Sequence, residues 1–229
     1  ISLCIFAVLR LIIGRKEMSQ EKKKRIGFYG GTFNPIHFGH LNLAIALAEA
    51  HQLDEVWLCP ACINPHRMQE IPVPAVHRLA MVCLAIEDIP NFKLIETETC
   101  REGPSYTVDT LRSLISQEQD PQEQKEFFLL MGDDAVPGFF HWKNPEEIIS
   151  MATLLIGHRI QPPSCDKFNE SLQAQGAPQV YEAIKKGMTP IHLMDISSTE
   201  IRARLHQGLY CGHMIPSKVL DYIHQNRLY

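Results

Sequence analysis

The feature that most constrains the fold is a glycine-rich turn between an apolar run and a helical pattern. The run Arg25 to Tyr29 leads directly into Gly30-Gly31-Thr32-Phe33-Asn34-Pro35-Ile36-His37-Phe38-Gly39-His40. From Gly39 onward, apolar residues recur at helical spacing. Glycines let the backbone approach a ligand closely, and a helix N-terminus presents N–H groups and partial positive charge to phosphate. The segment therefore predicts a strand, an anion-binding turn and a helix.

Two histidines, His37 and His40, stand at the predicted helix start. A protonated or donor imidazole at this point could reach a triphosphate and stabilise charge as pyrophosphate departs. The alternative is an ordinary turn with surface histidines. The ordered set of Gly, Gly, Pro, His, Gly and His in one strand-to-helix turn favours the binding site over that alternative.

The rest of the chain alternates between strand-like and helix-like patterns. Strands are expected at 25–29, 55–58, 92–95, 127–131, 153–157 and 191–194, and helices from 39 and at 76–86, 108–116, near 145–150, 198–207 and 217–225. No element is assigned to the polar stretch 161–187. Alternation of this kind predicts an α/β fold, a doubly wound parallel sheet with a small C-terminal helical part. Such sheets bind ligands outside the carboxyl ends of their strands, which places the site at the Gly30 loop.

Composition indicates one soluble globular domain, which we expect to span 26–229. The 229 residues are 45% hydrophobic and 21% charged, and no linker or low-complexity run divides them. Ile1 to Ile13 are apolar, but a span needs ~20 such residues and no basic region precedes them. We therefore expect residues 1–25 to be an N-terminal extension, with the natural start at Met18.

Charge and cysteine content restrict partners and compartment. A net charge of -4 gives no field that would recruit nucleic acid, so an anionic ligand must be held locally. Seven scattered cysteines are typical of reduced thiols in a cytosolic protein. Cys59 and Cys62 have C-x-x-C spacing, which could indicate a redox or zinc site, but the pair ends a strand-like run. Two incidental thiols are the favoured interpretation.

A second anion site is predicted far downstream, in Ile196-Ser197-Ser198-Thr199-Glu200-Ile201-Arg202. Ser198 is the expected N-cap of the following helix, and Arg202 lies one turn further on. Free N–H groups, hydroxyls and a guanidinium at a helix start can together grip phosphate. Taken alone, the segment is more typical of a capped helix with a surface arginine.

These two segments carry a family resemblance. The first is similar to the G-G-x-F-x-P-x-H-x-G-H signature of the H-x-G-H nucleotidylyltransferases, and the second resembles their I-S-S-T-x-I-R motif, which grips the ATP phosphates. Over nearly all of 26–229 the chain resembles the bacterial nicotinate-nucleotide adenylyltransferases. The resemblance implies a Rossmann-like nucleotidylyltransferase fold. It also implies adenylyl transfer from ATP, carrying Mg²⁺, to nicotinate mononucleotide, which yields deamido-NAD and pyrophosphate.

Three further segments carry the resemblance to that family. They are Asn64-Pro65-His66-Arg67, like the family's P-P-H-K/R loop; Arg101 to Thr107, like R-x-G-x-S-Y-T; and Met131-Gly132-Asp133-Asp134 with Trp142 beyond it. An indole is a suitable flat partner for a pyridine ring, and the Thr107 hydroxyl can donate to its carboxylate. A core position for Trp142, a solvated Asp134 and a surface ion pair for Arg78 are the alternatives to ligand contacts.

The resemblance assigns the following residues. Catalytic roles fall to His37, His40 and Arg202. ATP binding falls to Gly30, Gly31, Thr32, Phe33, His37, His40, Asp134, Arg159, Ile196, Ser197, Ser198, Thr199 and Arg202. Mononucleotide binding falls to Asn34, Pro65, His66, Arg67, Arg78, Ser105, Tyr106, Thr107 and Trp142. No protein metal ligands are expected.

The chain departs from the family pattern in two loops. Gly157-His158-Arg159-Ile160 stands where Arg-Pro-Gly is usual, and Asn64 stands where a proline is common. Rival functions are adenylyl transfer to nicotinamide mononucleotide, transfer to phosphopantetheine or glycerol phosphate, and non-catalytic nucleotide sensing. We expect a cytoplasmic protein with no nucleic-acid or membrane partner. Self-association into a homo-oligomer stays open.

Overall fold

The computed structural model describes residues 23–65, 71–101, 103–117, 124–159 and 177–229. The predicted extension lies outside these residues up to position 22, and the first strand already begins at Lys24. In the part of the chain that is described, no helix is long and apolar enough to cross a membrane.

A six-stranded parallel sheet forms the centre of the molecule. In chain order its strands are β1 (Lys24–Gly31), β2 (Glu55–Pro60), β3 (Phe92–Leu94), β4 (Lys125–Gly132), β5 (Ala152–Arg159) and β6 (Met188–Ile191). They lie in the order β3-β2-β1-β4-β5-β6, and every neighbouring pair is parallel. The order reverses between β1 and β4, which is where doubly wound sheets bind nucleotides. The predicted fold class is confirmed.

Helices cover both faces of the sheet. They are α1 (Phe38–Ala50), α2 (Ala75–Ile86), α3 (Thr107–Ser116), α4 (Val136–Phe139), α5 (Pro145–Met151), α6 (Pro178–Gly187), α7 (Ser198–His206) and α8 (Ser217–Gln225). One buried cluster joins α1, α2, α7 and α8 to the sheet, and a second joins α3, α5 and α6 to its other face. The two cores hold the carboxyl ends of the strands at one edge.

Two expectations for the downstream part of the chain were wrong. The last strand is Met188–Ile191 instead of 191–194, because pairing with β5 selects the residues that follow α6 directly, and Ile191 lies opposite Arg159. The sequence also assigned no helix to the polar stretch that contains α6. Only Val180, Ile184 and Gly187 of that helix are buried, so its short apolar stripe was hidden among polar residues.

Candidate active site

Two histidines cap the N-terminus of α1 through reciprocal hydrogen bonds. The Nδ1 of His37 accepts the His40 backbone N–H, and the Nδ1 of His40 accepts the His37 backbone N–H, each at 3.3 Å. The rings stack with centroids 3.7 Å apart. This is a reciprocal capping box built from imidazoles, so both rings are held in fixed orientations at the helix N-terminus.

The same contacts determine the protonation of the pair. Because each Nδ1 accepts a hydrogen bond, each neutral ring carries its proton on Nε2. Burial lowers the pKa of His37 to about 4. Burial, and secondarily the charge of His37, places the pKa of His40 well below its ordinary value. Near neutral pH the site therefore holds two neutral N–H donors. Of the two forms that the sequence left open, the structure favours the donor imidazole over the protonated one.

Gly39 is required between the two histidines. A Cβ at this position would lie 2.9 Å from His37 Nδ1 and 3.2 Å from the Met194 carbonyl oxygen. Any larger residue would push the His37 ring from its place or separate α1 from the segment that leads into α7. Phe33 supports the other side, because its buried ring meets His40 edge-on at 5.1 Å.

The downstream motif is attached directly to the glycine-rich turn. Ser198 Oγ donates to the Pro35 carbonyl at 2.9 Å, and Arg202 Nη1 donates to the Asn34 carbonyl at 2.9 Å. Arg202 Nη2 also donates to Thr199 Oγ1 at 3.3 Å. The structure thus brings together residues that are 163 to 168 positions apart, as the two motifs predicted.

One detail of that motif differs from the prediction. Ser197, with an extended backbone, is the N-cap of α7, and its hydroxyl accepts the Glu200 N–H at 3.1 Å. Ser198 is the first helical residue instead of the cap. Its hydroxyl is therefore available to join α7 to the turn.

A first cavity of about 210 Å³ lies between the two motifs. It is lined by Thr32, Phe33, Asn34, His40, Ile63, Asn64, Pro72, Ser198 and Arg202. The hydroxyl, imidazole and guanidinium groups in this lining are suited to an anionic ligand. Five of its residues belong to the ATP-binding set predicted above, and Asn34 belongs to the mononucleotide set.

A second cavity of about 100 Å³ opens on the other side of the glycine pair. Its lining is Gly30, Gly31, Ala61, Asn64, Pro65, Glu98, Ser105, Tyr106, Thr107, Trp142, Lys143 and Ile148. Five predicted mononucleotide residues meet here, although they come from three distant segments. Trp142 is half-buried and packs on Phe139 with ring centroids 5.1 Å apart. It therefore both borders the core and lines the cavity.

The chain is similar to known proteins over most of its length. A family described as cytidylyltransferase-like matches residues 28–204. A protein of Dictyoglomus thermophilum, described as a probable nicotinate-nucleotide adenylyltransferase, is 38% identical over 90% of this chain and 99% of its own. One of Shewanella pealeana with the same description is 35% identical over 90% and 95%. The chain belongs to the nicotinate-nucleotide adenylyltransferase family.

A solved structure agrees on the fold. It is titled Plasmodium falciparum nicotinic acid mononucleotide adenylyltransferase complexed with NaAD, and it matches with a TM-score of 0.69 and 20% identity over 90% of this chain and 97% of that one. At that identity the match supports the fold alone. The Rossmann-like nucleotidylyltransferase fold implied by the sequence resemblance is thereby confirmed.

Arg78, for which the sequence left a ligand contact and a surface ion pair open, is buried. It is 1% exposed, so the surface ion pair is wrong. Its guanidinium donates to four backbone carbonyls, those of Thr32, Ala61, Cys62 and Val73, at 2.6 to 3.2 Å. In this member of the family Arg78 joins the glycine-rich turn to the loop after β2, and so shapes both cavities. Direct contact with a mononucleotide stays a prediction.

A polar cluster under the second cavity was missed by the sequence reasoning. Glu98 is 4% exposed and accepts the Thr110 hydroxyl at 2.7 Å, and Arg101 Nη2 reaches the same hydroxyl at 2.5 Å. Ser105 Oγ accepts the Cys62 N–H at 2.8 Å. Burial raises the pKa of Glu98, against the Thr110 and Ser105 hydrogen bonds and the charge of Arg101. The available signal was that Glu98 follows the carboxyl end of β3, the end of the strands where such sheets bind ligands.

Two further assigned residues, Arg159 and Asp134, are not among the residues that line the two cavities. Arg159, at the end of β5, pairs with Asp195 at 2.9 Å, immediately before the downstream motif. Asp134 is exposed after β4. The pKa of Tyr29 is raised by the burial of its own side chain and, to a smaller extent, by the charge of Asp134. Their contacts with ATP stay predictions. His66 and Arg67 lie outside the described residues.

The two cysteines of the C-x-x-C pair differ in burial. Cys59 is fully buried, and burial raises its thiol pKa, while Cys62 is half-buried. Among the residues that the structure describes, no group of three or more His, Cys, Asp or Glu side chains could hold a metal ion. Both cysteines are free thiols in the structure, and their interpretation as incidental stays a prediction.

Proposed function

We propose that this chain transfers the adenylyl group of ATP to nicotinate mononucleotide, giving deamido-NAD and pyrophosphate. The observation that carries the proposal is the pair of adjoining cavities at the carboxyl end of β1, which share Asn64. One cavity offers hydrogen-bond donors suited to phosphate, and the other offers an indole and hydroxyls. The descriptions of the relatives support the same acceptor.

The chemistry follows from this arrangement. A 5′-phosphate oxygen of the mononucleotide attacks the α-phosphorus of ATP. The bond between that phosphorus and the oxygen that bridges the α- and β-phosphates breaks, and pyrophosphate leaves with the electron pair. No covalent enzyme intermediate is required. Phosphoryl and nucleotidyl transfers depend on positioning and on charge stabilisation. His37 and His40 supply Nε2–H donors for this purpose, and Ser198, Thr199 and Arg202 orient the β- and γ-phosphates.

Mg²⁺ fits this site as an ion carried by ATP. The described residues that line the first cavity include the His40 ring and the Arg202 guanidinium and no Asp or Glu side chain, so phosphate and water oxygens would supply most of the coordination. The ion would neutralise charge that develops on the departing pyrophosphate. The side chains themselves would bind the phosphates.

The start of α3 supports an acid in preference to an amide on the pyridine ring. Tyr106 precedes this ten-residue helix, and no side chain caps it. The helix start carries a partial positive charge and lies at the second cavity, whose wall includes Ser105, Tyr106 and Thr107. Lys143 also lines this cavity, but its ammonium pairs with Asp109 at 2.8 Å. A carboxylate gains from the helix start, whereas a neutral amide gains little.

The test is pyrophosphate release from Mg-ATP with nicotinate mononucleotide, nicotinamide mononucleotide or no acceptor. Release that is strong only with the acid form supports the proposal. Equal use of both acceptors would remove the specificity that we assign to the start of α3. No release with either acceptor would overturn adenylyl transfer and favour a nucleotide-binding role.

Two further expectations, on location and on self-association, remain part of the proposal. The five cysteines within the described ranges are free thiols, which supports a reducing, cytoplasmic location. Homo-oligomerisation stays a prediction, for which size-exclusion chromatography with light scattering is the direct measurement.

A further inference from the structure

We propose that Tyr229 is a positioning residue for the ATP site, acting through Asn34 on Arg202. The inference rests on the proposed function, since it assigns Arg202 to the phosphates of ATP. Neither the motifs nor the resemblance pointed to Tyr229, which lies 27 positions after Arg202 and outside both motifs.

The contact that carries the inference crosses most of the chain. Tyr229 Oη donates to Asn34 Oδ1 at 2.7 Å, across 195 positions. The Asn34 side chain is buried, with 8% of the residue exposed, and its Oδ1 accepts only one other described hydrogen bond, from Val73 N–H at 3.3 Å. The shorter of the two bonds is therefore the one from the tyrosine hydroxyl. It determines where the Asn34 amide lies.

Asn34 passes this constraint to Arg202 through its main chain. The carbonyl of the same residue accepts Arg202 Nη1 at 2.9 Å, and both Asn34 and Arg202 line the first cavity. Burial raises the pKa of Tyr229, against the charges of Arg202 and Arg78, so the phenol stays a donor and lies within electrostatic reach of both guanidiniums. A shift of Asn34 would move the guanidinium relative to the phosphates.

The ring and the hydroxyl of Tyr229 have separable roles. The ring packs against the buried cluster on the α1 and α8 face. A phenylalanine would preserve that packing, whereas the Asn34 contact requires the hydroxyl. A purely structural role therefore predicts that Tyr229→Phe affects stability alone, and a positioning role predicts that it affects the nucleotide.

The chain supplies a matched control in Tyr222. Its hydroxyl bonds to His77 Nδ1 at 2.9 Å and joins α8 to α2 away from both cavities. Tyr222→Phe removes the same atom from the same C-terminal segment. The two variants should lose similar stability in urea denaturation. Any difference between them in ligand binding then reports the positioning of the ATP site and not a general loss of stability.

The experiment measures binding of an ATP analogue with a methylene group between the α- and β-phosphorus atoms, by titration calorimetry. We expect Tyr229→Phe to weaken binding by about tenfold, the factor expected for one lost hydrogen bond that orients a charged donor. Tyr222→Phe should bind as the original chain does. In steady-state assays Tyr229→Phe should raise the KM for ATP and leave the KM for the mononucleotide within about twofold, because the structure places Asn34 in the lining of the first cavity, although the family resemblance assigned it to the mononucleotide.

A double variant tests the route through Asn34. If Tyr229 acts through that residue, adding Tyr229→Phe to Asn34→Ala should not weaken binding of the analogue any further. Independent, additive losses would overturn the route. Unchanged binding in Tyr229→Phe, or equal losses in Tyr229→Phe and Tyr222→Phe, would overturn the positioning role.

Failure of this inference can be told apart from failure of the proposed function. The original chain is assayed for pyrophosphate release with nicotinate mononucleotide in the same series. Release from the original chain with no binding change in Tyr229→Phe overturns the inference alone. No release, together with a selective tenfold loss of analogue binding, overturns the acceptor assignment and supports the role of Tyr229.

Discussion

The paired histidines at the start of α1 should make the protein lose stability as the pH falls. In the unfolded chain each ring binds a proton near its ordinary pKa of 6.5, whereas burial holds the folded pKa of His37 at about 4 and that of His40 well below 6.5. Between these limits the unfolded state binds more protons than the folded state. The free energy of unfolding therefore decreases with falling pH in this window.

The magnitude follows from the size of the shift. For His37 a change from 6.5 to about 4 corresponds to about 3 kcal/mol in total. By pH 5.5 the neutral His37 should cost about 1.4 kcal/mol relative to pH 7.5, and His40 should add a loss of the same sign. The loss from His37 alone is a measurable part of the ~5–15 kcal/mol that stabilises an ordinary domain.

The assay is urea denaturation from pH 7.5 to 5.5 on the original chain and on a His37→Asn/His40→Gln variant. Asparagine is a good N-cap and glutamine completes a capping box, so the variant keeps the helix start without titrating there. Carboxylates are common to both proteins and cancel in the difference. The exposed His192 supplies a control, His192→Asn, which should retain the full pH dependence. Parallel curves for the original chain and the double variant would refute the reasoning.

Three further outcomes are expected. His40→Ala should reduce turnover by about 10²–10³, because one preorganised donor is lost; a near-normal kcat would remove His40 from the mechanism. Trp142→Ala should raise the KM for the mononucleotide with little change for ATP, and equal losses for both would indicate a core role. Arg78→Met should lower the free energy of unfolding by about 3 kcal/mol, since it leaves buried carbonyls without donors; a loss below about 1 kcal/mol in urea would contradict that account.

The sequence predicted the elements whose patterns are local. The run into Gly30, the period of α1 and the alternation of strands and helices identified a doubly wound sheet, because burial on a sheet or helix face imposes a short period on the chain. Pattern failed where that signal was weak. The stripe of α6 consists of few buried residues, and β6 was placed three positions late because strand register is decided by the neighbouring strand.

The site divides in the same way. Sequence alone predicted a phosphate site in the glycine-rich turn, both histidines and the downstream serine and arginine, because such a site at a helix start needs particular residue types at fixed local spacing. Only the tertiary structure decided that Arg78 is buried against main-chain carbonyls, that Glu98 lies under the second cavity and that Tyr229 reaches Asn34. Each of these contacts joins residues whose distance along the chain carries no periodic signal. They exist because the folded parallel sheet brings the carboxyl ends of its strands to one edge.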